Sequence, residues 1–384
     1  MNRMLAEDYL VLASSPEPET VYAGSPSIAR MRSGRLLASY EWFRPSPLKE
    51  AVPDQTEVLI SDDDGATWTL AARLDFIWAT IWAHEDDAYL IGNRRKTRDI
   101  VIGRSKDGGI TWEGPVTLFE GRHHCAPTPV LIHNGHAYRA FETCDAPSRF
   151  DWKSLVVAGD TSRDLLDPAS WRMSNHVRFP GIPDVLSQRR YPESATEKVP
   201  ADSFLEGNIV LVDGEIRMIM RTIVDGHTTS SLASIGRVED DGETLNYRFV
   251  QFHPMPGAQC KFQIVHDKAG GLYWTTVTLS TNPWQDREPL RRIGFSGPPG
   301  NERRILMLMY SVDALNWFQA GCVAMSRSMM ESFSYASQVI SRDDLLVVAR
   351  TARGGKNQHD TNLITLHRVK DFRDLALDLR PVDV

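Results

Sequence analysis

The 384-residue sequence predicts an all-β protein folded as a six-bladed β-propeller, and two repeated features support this prediction. One is a turn sequence that recurs after short apolar strands. The other is a pair of apolar stretches joined by a tight polar turn, which occurs six times. Repeats of about 40–50 residues are typical of propellers, in which each repeat forms one four-stranded blade.

The recurring turn has the pattern S-x-D-x-G-x-T-W. It is complete at residues 61–68 and 105–112, and a degenerate copy is present at residues 311–317. In such a turn the aspartate can accept backbone N–H groups, the glycine adopts a positive φ, and the tryptophan packs beneath the loop. We expect these turns to be structural and to lie on the outer hairpins of blades one, two and five.

The six strand pairs are predicted to be the inner hairpins of six blades. Turn pairs such as Asn134-Gly135 and Asp213-Gly214 lie at their centres, as two-residue hairpins require. Residues 9–13 are expected to close the last blade, so that residues 1–384 form a single propeller domain. A seventh blade near residues 154–177 is the alternative. The hairpins are residues 27–40, 78–91, 128–141, 208–220, 262–275 and 337–349.

Composition narrows the possible partners. Hydrophobic residues make up 42% of the chain and charged residues 24%, as in ordinary soluble globular proteins. The net charge of -7 argues against nucleic-acid binding. The first 15 residues include Glu7 and Asp8 and lack the apolar run of a signal or membrane-spanning segment. We therefore expect no membrane insertion and a cytoplasmic location, the alternative being secretion or periplasmic export with a removed signal.

The four cysteines have no CxxC spacing, and the histidines show no ligand spacing. The sequence therefore predicts neither a metal site nor a cofactor. Cys125 and Cys144 could form a disulfide across one hairpin, although two free thiols are the preferred expectation.

Residues 122–142, in the third hairpin, are the richest candidate segment. If Asn134-Gly135 is a two-residue turn, paired positions sum to 269, and His124 lies opposite Asp145. A carboxylate facing an imidazole orients it and suits it to acid or base chemistry. The alternative is that His123 and His124 are strand-edge histidines bonded to nearby backbone.

Several arginines lie at equivalent ends of the inner hairpins: Arg95, Arg139, Arg221 and Arg350. Because a guanidinium group matches a carboxylate bidentately, convergent arginines on an acidic protein predict a pocket for an acidic ligand. Taken singly, each could instead be an ion-paired blade residue. Other polar candidates at the strand entrances are Glu206, Asn208, Lys261 and Tyr335, and His359 follows the Arg350 strand.

The turn pattern resembles the Asp box, and the chain is similar to the sialidase-like propeller superfamily over nearly its whole length. The resemblance implies a carbohydrate-active enzyme. True exo-sialidases open their first blade with Arg-Ile-Pro, whose arginine belongs to a carboxylate-binding triad. Here the corresponding residues are Gly24-Ser25-Pro26.

Residues 123–142 look closer to propeller polysaccharide lyases and rhamnosidases that act on rhamnose–glucuronate linkages. That resemblance implies His124 as base or acid and Arg221 or Arg350 as the group that neutralises the uronate. Tyr138 or Tyr335 could protonate the departing sugar oxygen, the alternative for each being packing with a surface hydroxyl. Ulvan-type enzymes carry a further histidine where this chain has Glu142-Thr143-Cys144.

The predicted function is cleavage of a glycosidic bond in an acidic oligo- or polysaccharide by β-elimination. Hydrolysis would usually require two carboxylates, and Glu142, Asp145 and Glu206 are available. An exo-sialidase-like hydrolase and a non-catalytic glycan- or protein-binding propeller are the alternatives. The predicted catalytic residues are His124, Tyr138, Arg221 and Arg350. The predicted substrate-binding residues are His123, Arg95, Arg139, Glu142, Glu206, Asn208, Lys261, Tyr335 and His359.

Overall fold

The computed structural model describes residues 4–44, 55–183, 202–224, 231–283, 285–295, 297 and 299–379. Within these ranges the chain forms six antiparallel sheets, which are the blades of a six-bladed propeller; five are built from consecutive strands, and the sixth combines the last three strands with the first. The predicted fold is confirmed. None of the described helices is long and apolar enough to cross a membrane.

The strands follow in chain order after β1 (Tyr9–Ser14). Blade one contains β2 (Tyr22–Arg30), β3 (Leu36–Phe43), β4 (Thr56–Ser61) and β5 (Thr69–Leu74). Blade two contains β6 (Ile77–His84), β7 (Asp87–Asn93), β8 (Ile100–Ser105) and β9 (Glu113–Phe119). Blade three contains β10 (His123–His124), β11 (Leu131–His133), β12 (His136–Thr143), β13 (Lys153–Asp160), β14 (Trp171–Met173) and β15 (Val177–Arg178).

Blade four contains β16 (Ser203–Val212), β17 (Glu215–Ile223), β18 (Leu232–Asp240) and β19 (Leu245–Pro254). Blade five contains β20 (Gln263–Asp267), β21 (Leu272–Leu279), β22 (Ile305–Ser311) and β23 (Phe318–Met325), with the helix α1 (Arg287–Arg292) between β21 and β22. Blade six contains β24 (Ser332–Ser341), β25 (Asp344–Ala352) and β26 (Leu363–Val369).

The N-terminal strand completes the last blade. β1 pairs antiparallel with β26, with Tyr9 opposite His367. Residues 154–177, where a seventh blade was the alternative prediction, instead supply the outer strands of blade three, since β13 pairs with both β12 and β14. The prediction of a single domain for residues 1–384 extends beyond the described ranges and stays a prediction.

The hydrophobic core lies between the blades. Each apolar cluster of the described residues combines side chains of two neighbouring sheets, as Phe141 and Leu155 of blade three do with Ile91 and Ile100 of blade two. The same arrangement joins blades five and six through Trp274 and the last-blade strands. Burial of apolar surface therefore holds each blade against the next.

The S-x-D-x-G-x-T-W turns occupy outer hairpins of blades one, two and five. Asp63 Oδ1 accepts from Thr67 N at 2.9 Å, and Trp68 Nε1 donates to Gly65 O at 3.1 Å. Asp107 makes the equivalent bond to Thr111 N at 2.9 Å. These aspartates fix turns on the periphery of the propeller.

Side-chain hydrogen bonds also join the blades around the axis. Thr80 of blade two donates to Thr128 O of blade three at 3.0 Å, and Thr128 donates in turn to Gly207 O of blade four at 2.7 Å. Ser337 of blade six donates to Pro26 O of blade one at 2.7 Å. Each bond therefore ties an inner strand to its neighbour.

Asn208 makes the corresponding connection between blades four and five. Its Nδ2 donates to Phe262 O at 3.2 Å, and its Oδ1 accepts from Ile264 N at 2.9 Å. This fully buried amide is used between blades, and the role in substrate binding predicted for Asn208 stays a prediction. We call the set with one residue from each blade, all buried, the inter-blade ring: Ser27, Thr80, Thr128, Asn208, Gln263 and Ser337.

Asn208→Leu should destabilise the protein by roughly 2–4 kcal/mol, because it leaves a buried carbonyl and a buried N–H without partners. Asn246→Leu, at an exposed position of β19, is the control and should cost less than about 0.5 kcal/mol. Urea unfolding measures both. Equal stability of the two variants would contradict the role of the inter-blade ring.

The aspartate turns predict a pH dependence. Hydrogen bonds from Thr67 and Thr111 lower the pKa of Asp63 and Asp107 to about 2. A depressed folded-state pKa contributes stability that is present above the unfolded value near pH 4 and is lost as pH falls through about 2. The wild type should therefore have a higher Tm than the Asp63→Asn/Asp107→Asn double variant above about pH 4, and this difference in Tm should disappear as the pH falls to about 2. The exposed Asp86→Asn should show no such closing gap.

Candidate active site

The mouth of the axis lies where the inner strands begin. Four inner strands are interrupted there by a register shift, and each shift contains a residue with positive φ: Ser25, Trp78, Glu206 or Tyr335. Each of these residues lies two positions before a member of the inter-blade ring. Bulges re-aim side chains, and positive φ is uncommon for residues other than glycine. The repeated bulge therefore turns large polar and aromatic side chains toward the mouth.

Three arginines surround the ring of Tyr335. The guanidinium carbons of Arg221, Arg303 and Arg350 lie 5.7, 5.0 and 5.0 Å from the ring centre. Arg303 Nη2 also donates to the Tyr335 hydroxyl at 2.9 Å. All four side chains are buried. We call these three residues, which come from blades four, five and six, the arginine cluster.

The positive charge of the arginine cluster is only partly compensated. Glu206 accepts from Arg221 Nη1 at 3.1 and 3.3 Å. Arg350 donates to His359 O at 2.5 Å and to Thr361 Oγ1 at 3.4 Å, and the partners of Arg303 in the described chain are also uncharged. Burial lowers the pKa of Arg350, as does its neighbour Arg303. A bound anion would relieve this accumulation of charge.

Glu206 is ionised in this setting. Burial opposes its charged form, but Arg221 and then His124 outweigh burial and hold the pKa of Glu206 below its ordinary value. Its backbone N–H donates to Glu142 Oε1 at 2.6 Å. Glu206 therefore connects the arginine cluster to the histidine on blade three.

The predicted partner of His124 is wrong. β10 pairs His124 with Glu142 and His123 with Thr143, so the pairs sum to 266, whereas β11 and β12 keep the predicted sum of 269. Residues 125–130 leave the ladder between β10 and β11 and absorb the difference of three. His124 Nδ1 lies 2.8 Å from Glu142 Oε2. The imidazole–carboxylate pair exists, but with Glu142 rather than Asp145, and Cys125 and Cys144 are free thiols.

Two tryptophans flank this pair. The His124 ring centre lies 4.5 Å from that of Trp78, edge to face, and 5.4 Å from that of Trp152. The His124 side chain retains 14% exposure, whereas Glu142 retains 1%. The buried carboxylate thus orients an imidazole that still reaches the mouth.

Two further predicted residues lie at the rim of the mouth. Arg95 contacts Glu41 at 3.4 Å, and Glu41 also accepts from the backbone N of Trp78. The half-exposed His359 bonds Asp360 at 2.9 Å and packs edge-on at 6.2 Å from Tyr335.

Other predicted residues do not reach the mouth. The Tyr138 hydroxyl donates to Asp240 at 2.8 Å, at the turn between β18 and β19, and the catalytic role predicted for it stays a prediction. Arg139 is 1% exposed and donates to Thr80 and Thr128 of the inter-blade ring, which makes it structural.

His123 and Lys261 are also buried. The backbone N of His123 donates to Arg98 O, and burial lowers the pKa of its ring, which matches the alternative of a strand-edge histidine. Lys261 Nζ donates to Ala336 O at 2.7 Å and is directed to the backbone of blade six, not to the mouth.

The sequence analysis missed Arg303, Trp78 and Trp152. Arg303 precedes β22, the third strand of its blade, whereas the candidates were sought on first and second strands. Trp78 could have been found from its place two residues before Thr80. Within the described ranges, no group of three or more His, Cys, Asp or Glu residues is arranged to hold a metal ion.

Solved structures with a similar fold include a sialidase, an arabinanase and a protein of unknown function. Trypanosoma rangeli sialidase in complex with sialic acid has a TM-score of 0.63 and 16% identity over 96% of this chain, which spans only 59% of the sialidase. Penicillium chrysogenum α-L-arabinanase complexed with arabinobiose has a TM-score of 0.57 and 13% identity, with 94% and 98% of the two chains covered. A Dyadobacter fermentans protein of unknown function has a TM-score of 0.55 and 14% identity, with 94% of this chain and 99% of that protein covered.

No protein-family model matches the sequence, and no curated protein matches it. The structural similarities, all at low identity, show that the chain shares its fold with these proteins.

Opposite stability effects should separate the paired from the unpaired arginines. Glu206→Gln leaves Arg221 buried without a carboxylate and should destabilise the protein by about 3 kcal/mol. Arg350→Met removes a buried charge that has uncharged partners and should leave stability unchanged or raise it. Denaturant midpoints measure both. If Arg350→Met destabilised the protein as much as Glu206→Gln, this would contradict the view that the charge of Arg350 is uncompensated in the free protein.

Proposed function

We propose that the protein is a glycoside hydrolase acting on a sugar that carries a carboxylate, and that the arginine cluster binds this carboxylate. The observation that carries the proposal is the convergence of three buried guanidinium groups, from three blades, on one tyrosine ring. Arginine presents paired donors that match a carboxylate, and burial strengthens the interaction.

The first blade offers further support. Gly24 stands where exo-sialidases carry the first arginine of their triad. A Cβ on Gly24 would clash with the Phe43 ring and would lie 3.5 Å from the Arg350 guanidinium carbon, so the guanidinium from blade six lies close to this glycine. The chain thereby retains three arginines at the mouth although the Arg-Ile-Pro motif is absent.

Tyr335 is assigned as the nucleophile. In a sugar acid whose carboxylate is attached to the anomeric carbon, as in sialic acid, the arginine cluster would hold the carboxylate and place that carbon near the Tyr335 hydroxyl, and tyrosine nucleophiles occur in sialidases. Tyr335 and Glu206 are the candidates for the tyrosine–glutamate pair of that family. The phenol oxygen forms the bond to the anomeric carbon, the phenol proton passes to Glu206, and water then hydrolyses the intermediate.

His124 is assigned as the general acid. The bond to Glu142 orients the imidazole, and the departing glycosidic oxygen takes its proton from this ring. His124 lies on the blade-three side of the mouth, and Glu142 and Glu206 connect it to the arginine cluster. The sugar with the carboxylate would therefore lie toward blades four to six, and the leaving group toward blades two and three.

The oriented His124 also favours a second candidate, β-elimination at a rhamnose–glucuronate type linkage. Neutralising the uronate carboxylate makes the C5 proton more acidic, and His124 would then remove it. The electrons of the C5–H bond form the C4–C5 double bond, the C4–O bond breaks, and the leaving oxygen takes a proton from the Tyr335 hydroxyl. A glycan-binding propeller without catalysis is the remaining alternative.

Incubation with sialyl and glucuronyl reporters and with rhamnose–glucuronate oligosaccharides distinguishes these functions. Release of sugar without ultraviolet absorbance supports hydrolysis. Absorbance of an unsaturated uronate supports elimination. Binding without product supports the non-catalytic alternative, and the absence of both binding and product would contradict all three.

Two tyrosines provide a matched pair of variants. Tyr335→Phe should lower kcat by on the order of 10³-fold or more, because the nucleophile is lost. Tyr138→Phe should leave kcat within about twofold, because its hydroxyl binds Asp240 away from the mouth.

His124→Ala should lower kcat by about 10²–10⁴-fold without unfolding the protein. Full activity in a folded Tyr335→Phe or His124→Ala variant would overturn the corresponding assignment.

A further inference from the structure

The conformation of Tyr335 is unusual for a strand residue. Its φ is 51°, in the left-handed region, and it lies in the register shift between Ser334 and Ser337. A residue other than glycine is disfavoured there by about 1–2 kcal/mol. Surrounding contacts must therefore hold the bulge, and the direction of the Tyr335 ring depends on them.

Lys261 supplies such contacts from the neighbouring blade. Its Nζ donates to Tyr335 O at 3.3 Å, to Ala336 O at 2.7 Å and to Ser337 Oγ at 3.0 Å. An ammonium group has three N–H donors, and these three oxygens accept them. The two carbonyls belong to the residues that the bulge removes from the β24–β25 ladder.

The position of Lys261 in its own blade strengthens this reading. It lies two residues before Gln263 of the inter-blade ring, as Tyr335 lies two residues before Ser337. At this position in blade five, however, the side chain is only 2% exposed and runs sideways to the next blade. Ser337 passes the connection on to Pro26 of blade one.

Charged residues surround Lys261: Glu206 and Arg350 at the mouth, and the buried Arg139. Burial lowers the pKa of Lys261 to about 7, Glu206 opposes this shift, and Arg139 and Arg350 add to it. All three hydrogen-bond partners are neutral oxygens, so Lys261 is held in place by hydrogen-bond donation and not by an ion pair.

We propose that Lys261 is a positioning residue, which holds the bulge that aims Tyr335 at the arginine cluster and does not itself touch the sugar. The sequence-based prediction that Lys261 binds substrate is replaced by this role. The activity part of the test rests on the proposed function, whereas the structural part does not.

The structural test labels the protein with 3-fluorotyrosine and assigns the Tyr335 fluorine signal with Tyr335→Phe. Lys261→Met, whose unbranched side chain is one atom shorter and has no donor, should shift that signal. The exposed Lys268→Met is the control and should not. An unchanged Tyr335 signal in folded Lys261→Met overturns the proposal whatever the protein catalyses.

The kinetic test compares the same variants on the best acidic-sugar substrate. Lys261→Met should lower kcat by roughly 10²-fold, because a misplacement of about 1 Å has this effect, and should change KM by less than about threefold. A rise in KM with unchanged kcat would mean that Lys261 binds the sugar, and would overturn the proposal.

Lys261→Gln covers the case in which Lys261→Met does not fold. Its amide has two donors for the three oxygens, so a smaller shift of the Tyr335 signal and a smaller loss of kcat are expected. A folded Lys261→Gln with wild-type signal and wild-type kcat would overturn the proposal. Lack of activity in the wild type would refute the proposed function alone, because the fluorine signal still tests the position of Tyr335.

Discussion

The hydrogen bonds of the inter-blade ring determine where the candidate active site lies. Each member of the ring fixes the height of one inner strand against the next, and in blades one, two, four and six the residue two positions earlier lies in the bulge at the mouth. Thr80 stands in this relation to Trp78, and Asn208 to Glu206. The site is thus built from one repeated backbone geometry into which different side chains have been placed.

The same geometry explains how the chain tolerates a concentration of buried charge. Apolar layers between all neighbouring blades supply the stability, and the mouth can therefore hold Arg303 and Arg350 with uncharged partners. Active sites commonly reduce the stability of the fold in this way. Arg303 and Arg350 belong to the proposed carboxylate site, whereas Arg139, equally buried, supports the inter-blade ring.

Local patterns in the sequence were sufficient for the fold. Alternating apolar residues and turn pairs such as Asp213-Gly214 depend on near neighbours, so all six inner hairpins could be located. The partner of His124 could not be predicted, because the irregular residues 125–130 change the register. Tyr138 was misplaced because strand position was not converted into distance from the mouth. Arg303 was not predicted because it precedes β22, the third strand of its blade, where no sequence motif marks the mouth.

The pairing of β1 with β26 joins residues near opposite ends of the described chain. Contacts of such large sequence separation form late, because loop closure must precede them. Blades one to five can acquire their own sheets during synthesis, yet Arg350 and Tyr335 arrive only with the sixth. A nascent chain therefore has no complete mouth until the circle closes, and a partly synthesised or truncated ring would present an unpaired edge strand instead of a site.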